Sequence, residues 1–142
     1  MQPLRPTLAA ALAAVTVVAS GVASAMPIQN LPPEETQGAV TYRTGGISHE
    51  EATAMRRAEG SYPLSLEFAA RAEPHNWFLA NVEVTIKDHR GGTMLKTYSD
   101  GPILLAKLPD GQYTVTASDD GESETRQVSV AAGKPEKLVF VW

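Results

Sequence analysis

The chain contains no cysteine. Disulfides, thiol catalysis and Cys-ligated zinc or iron–sulfur sites are therefore excluded. Aromatic residues make up only 6% of the 142 residues. Basic residues are also scarce: 12 Lys and Arg stand against 16 Asp and Glu, and they form no cluster. Because nucleic-acid binding needs a basic patch, no nucleic acid is expected as a partner.

A long apolar run is missing as well. The most apolar segment, residues 8–18, is shorter than the roughly 20 residues that a membrane span needs. It follows Arg5 and precedes Ala23-Ser24-Ala25, the small-x-small pattern of a signal-peptidase site. Residues 1–25 are therefore predicted to be a cleaved signal peptide, with a retained anchor as the alternative. The mature chain would be periplasmic or secreted, with no membrane insertion after cleavage.

Two segments precede the main domain. Residues 26–47 are predicted to be an extended leader, because residues 26–38 carry three prolines and show no periodicity. Within it, residues 39–43 could form a short strand before Gly45-Gly46. Residues 48–60 are predicted to be a short amphipathic helix. Ser48 and Glu51 form a capping box, and Gly60 suits the C-terminal end. The apolar stripe predicts that the helix docks on an open edge or end of the following domain; it consists of Ala52, Met55 and Ala58.

From Tyr62 onward the apolar residues recur every second position. Residues 82–86 are the clearest example, with Val, Val and Ile alternating with Glu and Thr. Residues 103–108 are almost continuously apolar, as expected of a strand covered on both faces. About seven such strands alternate with turns, which predicts an all-β fold: one seven-stranded antiparallel Greek-key sandwich over residues 61–142, preceded by one short α-helix.

Within this domain the chain resembles the carboxypeptidase regulatory-like group of transthyretin-type (prealbumin-like) β-sandwiches. The resemblance covers about residues 79–141 and rests on VEVTIKDHRG at 82–91, DGPILL at 100–105 and LPDGQYTV at 108–115. The turn at 99–102 is shorter than the group's usual form. Some transthyretin-like proteins are hydroxyisourate hydrolases, but their C-terminal Tyr-Arg-Gly-Ser is absent here. The resemblance implies architecture and not an activity.

No catalytic residue or cofactor is predicted. The three histidines are His49, His75 and His89; they lie at the helix start or in loops, and no G-x-S-x-G elbow accompanies them. No metal site is predicted either. His75 and His89 are the candidates if two loop histidines converge on copper or zinc. The acidic sequence at residues 119–122 is interpreted as a hairpin turn of type I′ or longer, and not as a calcium loop.

Aromatic residues are the remaining candidates for recognition, since they bring rigid contact area to an interface. The partner-binding candidates are Trp77, His75, Tyr42 and Trp142. Most other aromatic residues, including Phe78 and Phe140, are predicted to lie in the core.

Taken together, the sequence predicts an exported, non-enzymatic sandwich that binds an unknown protein or glycan of the cell envelope. Two alternatives stay open. One is a small metal-binding protein or hydrolase that uses loop histidines, and the other is a structural or stress protein of the envelope without a specific ligand.

Overall fold

The structure is a computed structural model that describes residues 31–142. The predicted signal peptide, residues 1–25, lies outside the described residues. One α-helix, α1 (His49–Ala58), is followed by a 3₁₀ turn over Glu59–Ser61. No helix among residues 31–142 is long and apolar enough to cross a membrane. The ten strands are β1 (Glu35–Gln37), β2 (Val40–Gly45), β3 (Leu64–Ala70), β4 (Trp77–Phe78), β5 (Val82–Asp88), β6 (Thr93–Ser99), β7 (Ile103–Lys107), β8 (Gly111–Asp119), β9 (Glu122–Val130) and β10 (Glu136–Val141).

The strands form two sheets that face each other. Sheet A has the order β1-β2-β7-β3-β10, with β4 also pairing with β3, and sheet B has the order β6-β5-β8-β9. The all-β sandwich is thus confirmed, but the prediction of seven strands is wrong. The additional strands include β1 and β4, which are only three and two residues long and too short to show alternation.

The prediction of a wholly antiparallel arrangement is also wrong. Strand β10 runs parallel to β3, with Leu138 opposite Leu66 and Phe140 opposite Phe68. Both strands present the same alternation whichever way they run, so periodicity carries no information about direction.

The segment predicted as a leader belongs largely to the domain. Strand β2 pairs with β7 from Thr41 opposite Lys107 to Gly45 opposite Ile103. Val40 and Tyr42 point into the core, where they are 0% and 6% exposed. Strand β2 therefore corresponds to the short strand expected over residues 39–43, and it lies in sheet A instead of in an extended leader.

The main core lies between the sheets and is built from the predicted alternating positions. Its largest fully buried side chains are Phe68, Phe140, Leu64, Leu66, Ile86, Leu95 and Leu104. The rings of Phe68 and Phe140 lie 5.9 Å apart across the parallel pair. This contact joins β3 to β10, the last strand of sheet A.

Helix α1 covers the outer face of sheet A, and not an edge of the sandwich as expected. Ser48 caps it as predicted, since its hydroxyl accepts from the Glu51 N–H at 3.1 Å. The Glu51 carboxylate accepts instead from the Gly46 N–H, at 2.6 Å. The helix stripe and Tyr62 pack with Ile103 and Leu105 of β7. Because Leu104 and Ala106 of the same strand face the main core, β7 is buried on both faces, as predicted.

The hairpin between β8 and β9 has the predicted tight turn. Asp120 and Gly121 have φ angles of 48° and 81°. Positive φ at both central residues is the type I′ geometry, whose twist matches that of the flanking strands. Asp119 and Glu122 pair with each other and close the hairpin. Residues 119–122 therefore form the predicted hairpin turn.

Candidate partner-binding site

One end of the sandwich carries a loop with exposed aromatic side chains. This aromatic loop comprises residues 71–81 and joins β3 of sheet A to β5 of sheet B. Within it, β4 pairs with the end of β3, with Trp77 opposite Ala70 and Phe78 opposite Ala69. The loop is also tied down on both sides. The Arg71 N–H donates to the Trp142 carbonyl at 2.8 Å, and the Asn81 N–H donates to the Ser99 carbonyl at 2.7 Å.

The two aromatic side chains of β4 face solvent. Trp77 is 69% exposed and Phe78 is 57% exposed. The Arg56 guanidinium of α1 lies 5.4 Å from the centre of the Phe78 ring, within cation–π distance. Phe78 was predicted to lie in the core, and that prediction is wrong. Leu79, one residue further, packs against the core instead, because the chain crosses to sheet B at that point.

A third exposed apolar residue lies at the same end of sheet A. Ile47, in the loop between β2 and α1, is 73% exposed. Strand β2 ends beside the start of β7, where the Pro102 carbonyl accepts from the Phe68 N–H at 2.9 Å. Phe68 directly precedes the residue that pairs with Phe78, so these side chains share one end of the sheet. We call Ile47, Trp77 and Phe78 the aromatic end.

The sequence candidates divide between this end and the core. His75 lies exposed in the aromatic loop with Trp77. Tyr42 is buried, and its hydroxyl lies 3.5 Å from Thr97 Oγ1 of sheet B.

Trp142 is half-buried and serves packing. Its ring lies 6.2 Å from that of Phe140, and its Nε1–H donates to the Glu122 carbonyl at 3.0 Å. The structure thus places His75 and Trp77 in the same exposed loop, and it places Tyr42 and Trp142 where their side chains bond to sheet B. Ile47 and Phe78 are not among the partner-binding residues that the sequence predicts. In the sequence, the large apolar residues Trp77, Phe78 and Leu79 follow a polar loop. This pattern indicates a strand, but it does not tell which of the three side chains is buried.

The most strongly perturbed titratable group belongs to a cluster away from this end. Glu34 Oε1 accepts from the Tyr62 hydroxyl at 2.6 Å and from the Arg43 guanidinium at 2.9 Å. The Lys107 ammonium lies 3.4 Å from the same oxygen. The hydrogen bonds from Tyr62 and Arg43 lower the Glu34 pKa from 4.5 to about 2. Burial, followed by the bond to Glu34, raises the pKa of Tyr62.

This cluster fastens the start of the described chain to the outer face of sheet A. Arg43 also donates to the Pro32 carbonyl at 2.8 Å, and its Nε donates to the Tyr62 hydroxyl at 2.6 Å. A general base works best with a pKa near the operating pH, so a carboxylate this acidic is unsuited to proton abstraction. The arrangement supports an ion-pair clamp and no acid–base chemistry.

The two candidate metal ligands do not converge. His75 lies in the loop that leads into β5, whereas His89 lies in the turn that follows the far end of that strand. Seven residues of extended chain span roughly 20 Å. His89 instead borders an open polar groove of about 490 Å³ on the outer face of sheet B. Among residues 31–142, no three His, Cys, Asp or Glu side chains are grouped so that they could hold a metal ion.

No family model matches the chain, and no curated protein matches its sequence. The resemblance to the carboxypeptidase regulatory-like group therefore stays a prediction that rests on the residues quoted for it.

Proposed function

We propose that the chain is an exported, non-enzymatic β-sandwich module that holds a protein or glycan partner of the cell envelope at its aromatic end. One observation carries the proposal: Trp77 and Phe78 are 69% and 57% exposed, one on each face of a short strand that is hydrogen-bonded into sheet A. Large apolar side chains that are exposed at one end of a domain mark interaction sites more often than scattered single ones do. Aromatic residues of this kind dominate the binding energy of interfaces.

The anchoring of the loop supports a binding role. Backbone hydrogen bonds fix Arg71 to Trp142, the residue after β10 of sheet A, and Asn81 to β6 of sheet B, and residues 77 and 78 pair with β3. A partner would then meet aromatic rings that are already in place, and binding would cost little loop ordering. His75 and Asn76, both exposed, put polar groups beside the rings. A flat ring with hydrogen-bonding neighbours suits a sugar face as well as a peptide.

The finer identity of the module is part of the same proposal. We assign it to the prealbumin-like carboxypeptidase regulatory-like group, with a Greek-key arrangement of its strands. Support comes from the LPDGQY element, where the Tyr113 hydroxyl donates to the Pro109 carbonyl at 2.6 Å and closes the turn before β8. The signal-like residues 1–25 support a periplasmic or secreted location.

Crosslinking in an envelope extract tests the proposal. The wild-type protein and a Trp77→Ala, Phe78→Ala double variant would each be crosslinked, and captured protein and carbohydrate would be compared. Tyr98→Ala is the matched control, because Tyr98 is an aromatic residue with a similar exposure, 61%, on the outer face of sheet B. Capture that is lost in the double variant and kept in the control supports the proposal.

Trp77 also provides a direct optical signal. A partner that covers its ring would shift the tryptophan emission to shorter wavelength, and titration with soluble peptidoglycan fragments would separate a glycan from a protein. If the double variant captures the same molecules as the wild-type protein, the aromatic end is not the site. If neither captures anything above background, an envelope protein without a specific ligand becomes the better description.

A further inference from the structure

The four edges of the two sheets differ in how they are protected. In sheet A, β1 is only three residues long, and β10 meets β9 where the Trp142 indole donates to the Glu122 carbonyl. In sheet B, the Gln37 side chain covers the edge of β6. Its amide accepts from the Lys96 N–H at 2.8 Å and donates to the Lys96 carbonyl at 3.2 Å. The remaining edge, β9, is nine residues long and pairs with no strand other than β8 within residues 31–142.

The type I′ turn fixes which backbone groups of β9 face outward. Asp119 and Glu122 flank the two turn residues and form a hydrogen-bonded pair. Hydrogen-bonded and non-hydrogen-bonded pairs alternate along an antiparallel ladder. The even-numbered residues of β9 therefore bond to β8. The odd-numbered residues direct their N–H and C=O groups away from the sheet; they are Ser123, Thr125, Gln127 and Ser129.

The outer face of this edge carries no charge that would repel another strand. The Thr125 hydroxyl lies 3.1 Å from the Thr116 hydroxyl of β8, and the hydroxyls of Ser123 and Ser118 are paired in the same way. These side chains lean back over the hairpin and leave the outward backbone groups uncovered. Edge strands commonly carry lysine or proline to prevent pairing, and β9 has neither.

Charge appears only on the side of β9 that faces sheet A. Glu124 and Arg126 lie opposite Ala117 and Val115, whose side chains point into the core. Their charged groups are 3.5 Å apart, and the Arg126 guanidinium lies 5.3 Å from the centre of the Phe140 ring. Inward charges of this kind exclude most incoming strands, unless the incoming strand carries the opposite charges in the matching order.

We propose that β9 is a self-association edge whose partner is a second copy of this chain. In an antiparallel pairing centred on Thr125, each Thr125 faces its equivalent, and each Ser123 faces Gln127 of the second copy. Glu124 then faces Arg126 of the second copy, and the two-fold symmetry repeats this ion pair in reverse. Opposite charges directly across a strand pair favour pairing, and like charges oppose it. Sheet B becomes one continuous eight-stranded sheet.

This association is independent of the proposed binding site, which lies in the loop between β3 and β5. If both hold, the dimer presents two aromatic ends, so a partner with repeated epitopes would bind with higher avidity.

Analytical ultracentrifugation tests the pairing. The full chain would be expressed, and the protein recovered would be sedimented over a wide range of concentrations. The wild-type protein should show a monomer–dimer equilibrium. Thr125→Pro should abolish the dimer, because proline lacks the outward N–H, while bonding to β8 is kept. Thr125→Val is the matched control, since it keeps the N–H and should dimerise. Circular dichroism would verify that both variants fold.

Charge reversal tests the register. Arg126→Glu and Glu124→Arg alone should each weaken the dimer by about tenfold or more, since each makes two like-charge pairs. An equimolar mixture of the two single variants should dimerise again, which a simple loss of folding could not produce. A protein that stays monomeric, a dimer that persists in Thr125→Pro, or a mixture no tighter than its components would each overturn the proposal.

Discussion

Shortening Met55 to alanine should destabilise the whole domain, and the structure sets the size of the effect. Met55 is 0% exposed at the centre of the contact between α1 and sheet A. The two helix neighbours, Ala52 and Ala58, are too small to fill the space that it would leave. On the other side, β7 is hydrogen-bonded to both β2 and β3 and cannot move inward. The cavity should therefore persist, and about 3 kcal/mol of unfolding free energy should be lost.

The assay is thermal and urea unfolding, followed by far-UV circular dichroism and by tryptophan fluorescence. A loss of about 3 kcal/mol should lower the Tm by about 10 °C or more in a domain of this size. The two signals should still change together if α1 unfolds with the sheets. Met55→Leu is the control; it conserves volume and should cost less than about 1.5 kcal/mol. An unchanged Tm with a loss of helical signal would refute the reasoning, since the helix would then be a separate, weakly attached element.

Two further perturbations act on other parts of the fold. The Glu34 carboxylate should stabilise the protein above about pH 4.5, and this contribution should disappear as the pH falls toward 2, because hydrogen bonds from Tyr62 and Arg43 lower its pKa to about 2. Since Glu34 is partly exposed and screened, Glu34→Gln should cost about 1 kcal/mol at neutral pH and flatten the acid limb of a Tm-versus-pH curve; an unchanged acid limb would contradict this. A side chain at Gly101 would collide with the backbone carbonyl of Gly45 at the end of β2, so Gly101→Ala should cost about 2 kcal/mol or more in urea unfolding. Gly60→Ala, where the added methyl group meets nothing within 4 Å, should be neutral or slightly stabilising, and equal effects of the two glycine substitutions would be inconsistent with the packing.

Much of the fold could be predicted because its determinants are local. The Ser48 cap, the type I′ turn at Asp120 and Gly121, and the alternation of β5 each depend on residues that are close in sequence. The apolar run of β7 also predicted correctly that this strand is covered twice. The outer face of β7 is covered by the apolar stripe of α1. The stripe could be recognised in the sequence, but the place where the helix docks on the sheet could not.

The candidate site was predicted only in part, for a related reason. Trp77 is a candidate from the sequence because it follows Pro74-His75-Asn76 at the entrance to a strand, although its burial is left open there. Phe78 was assigned to the core because aromatic residues are usually buried. The two-residue strand β4 has no alternation of its own, so nothing in the sequence indicates that its pairing with Ala69 and Ala70 turns Phe78 outward and sends Leu79 inward.

The sequence by itself determined the class of the fold, the turns, the helix and its cap, and the absence of thiol chemistry. The tertiary structure alone decided the direction of β10, the inclusion of β2 in the sheet, the exposure of Phe78 and the separation of His75 from His89. The division has one physical cause. Hydrophobic periodicity and turn chemistry are fixed by neighbours along the chain, whereas strand order, direction and exposure depend on which distant strands bury each other's faces.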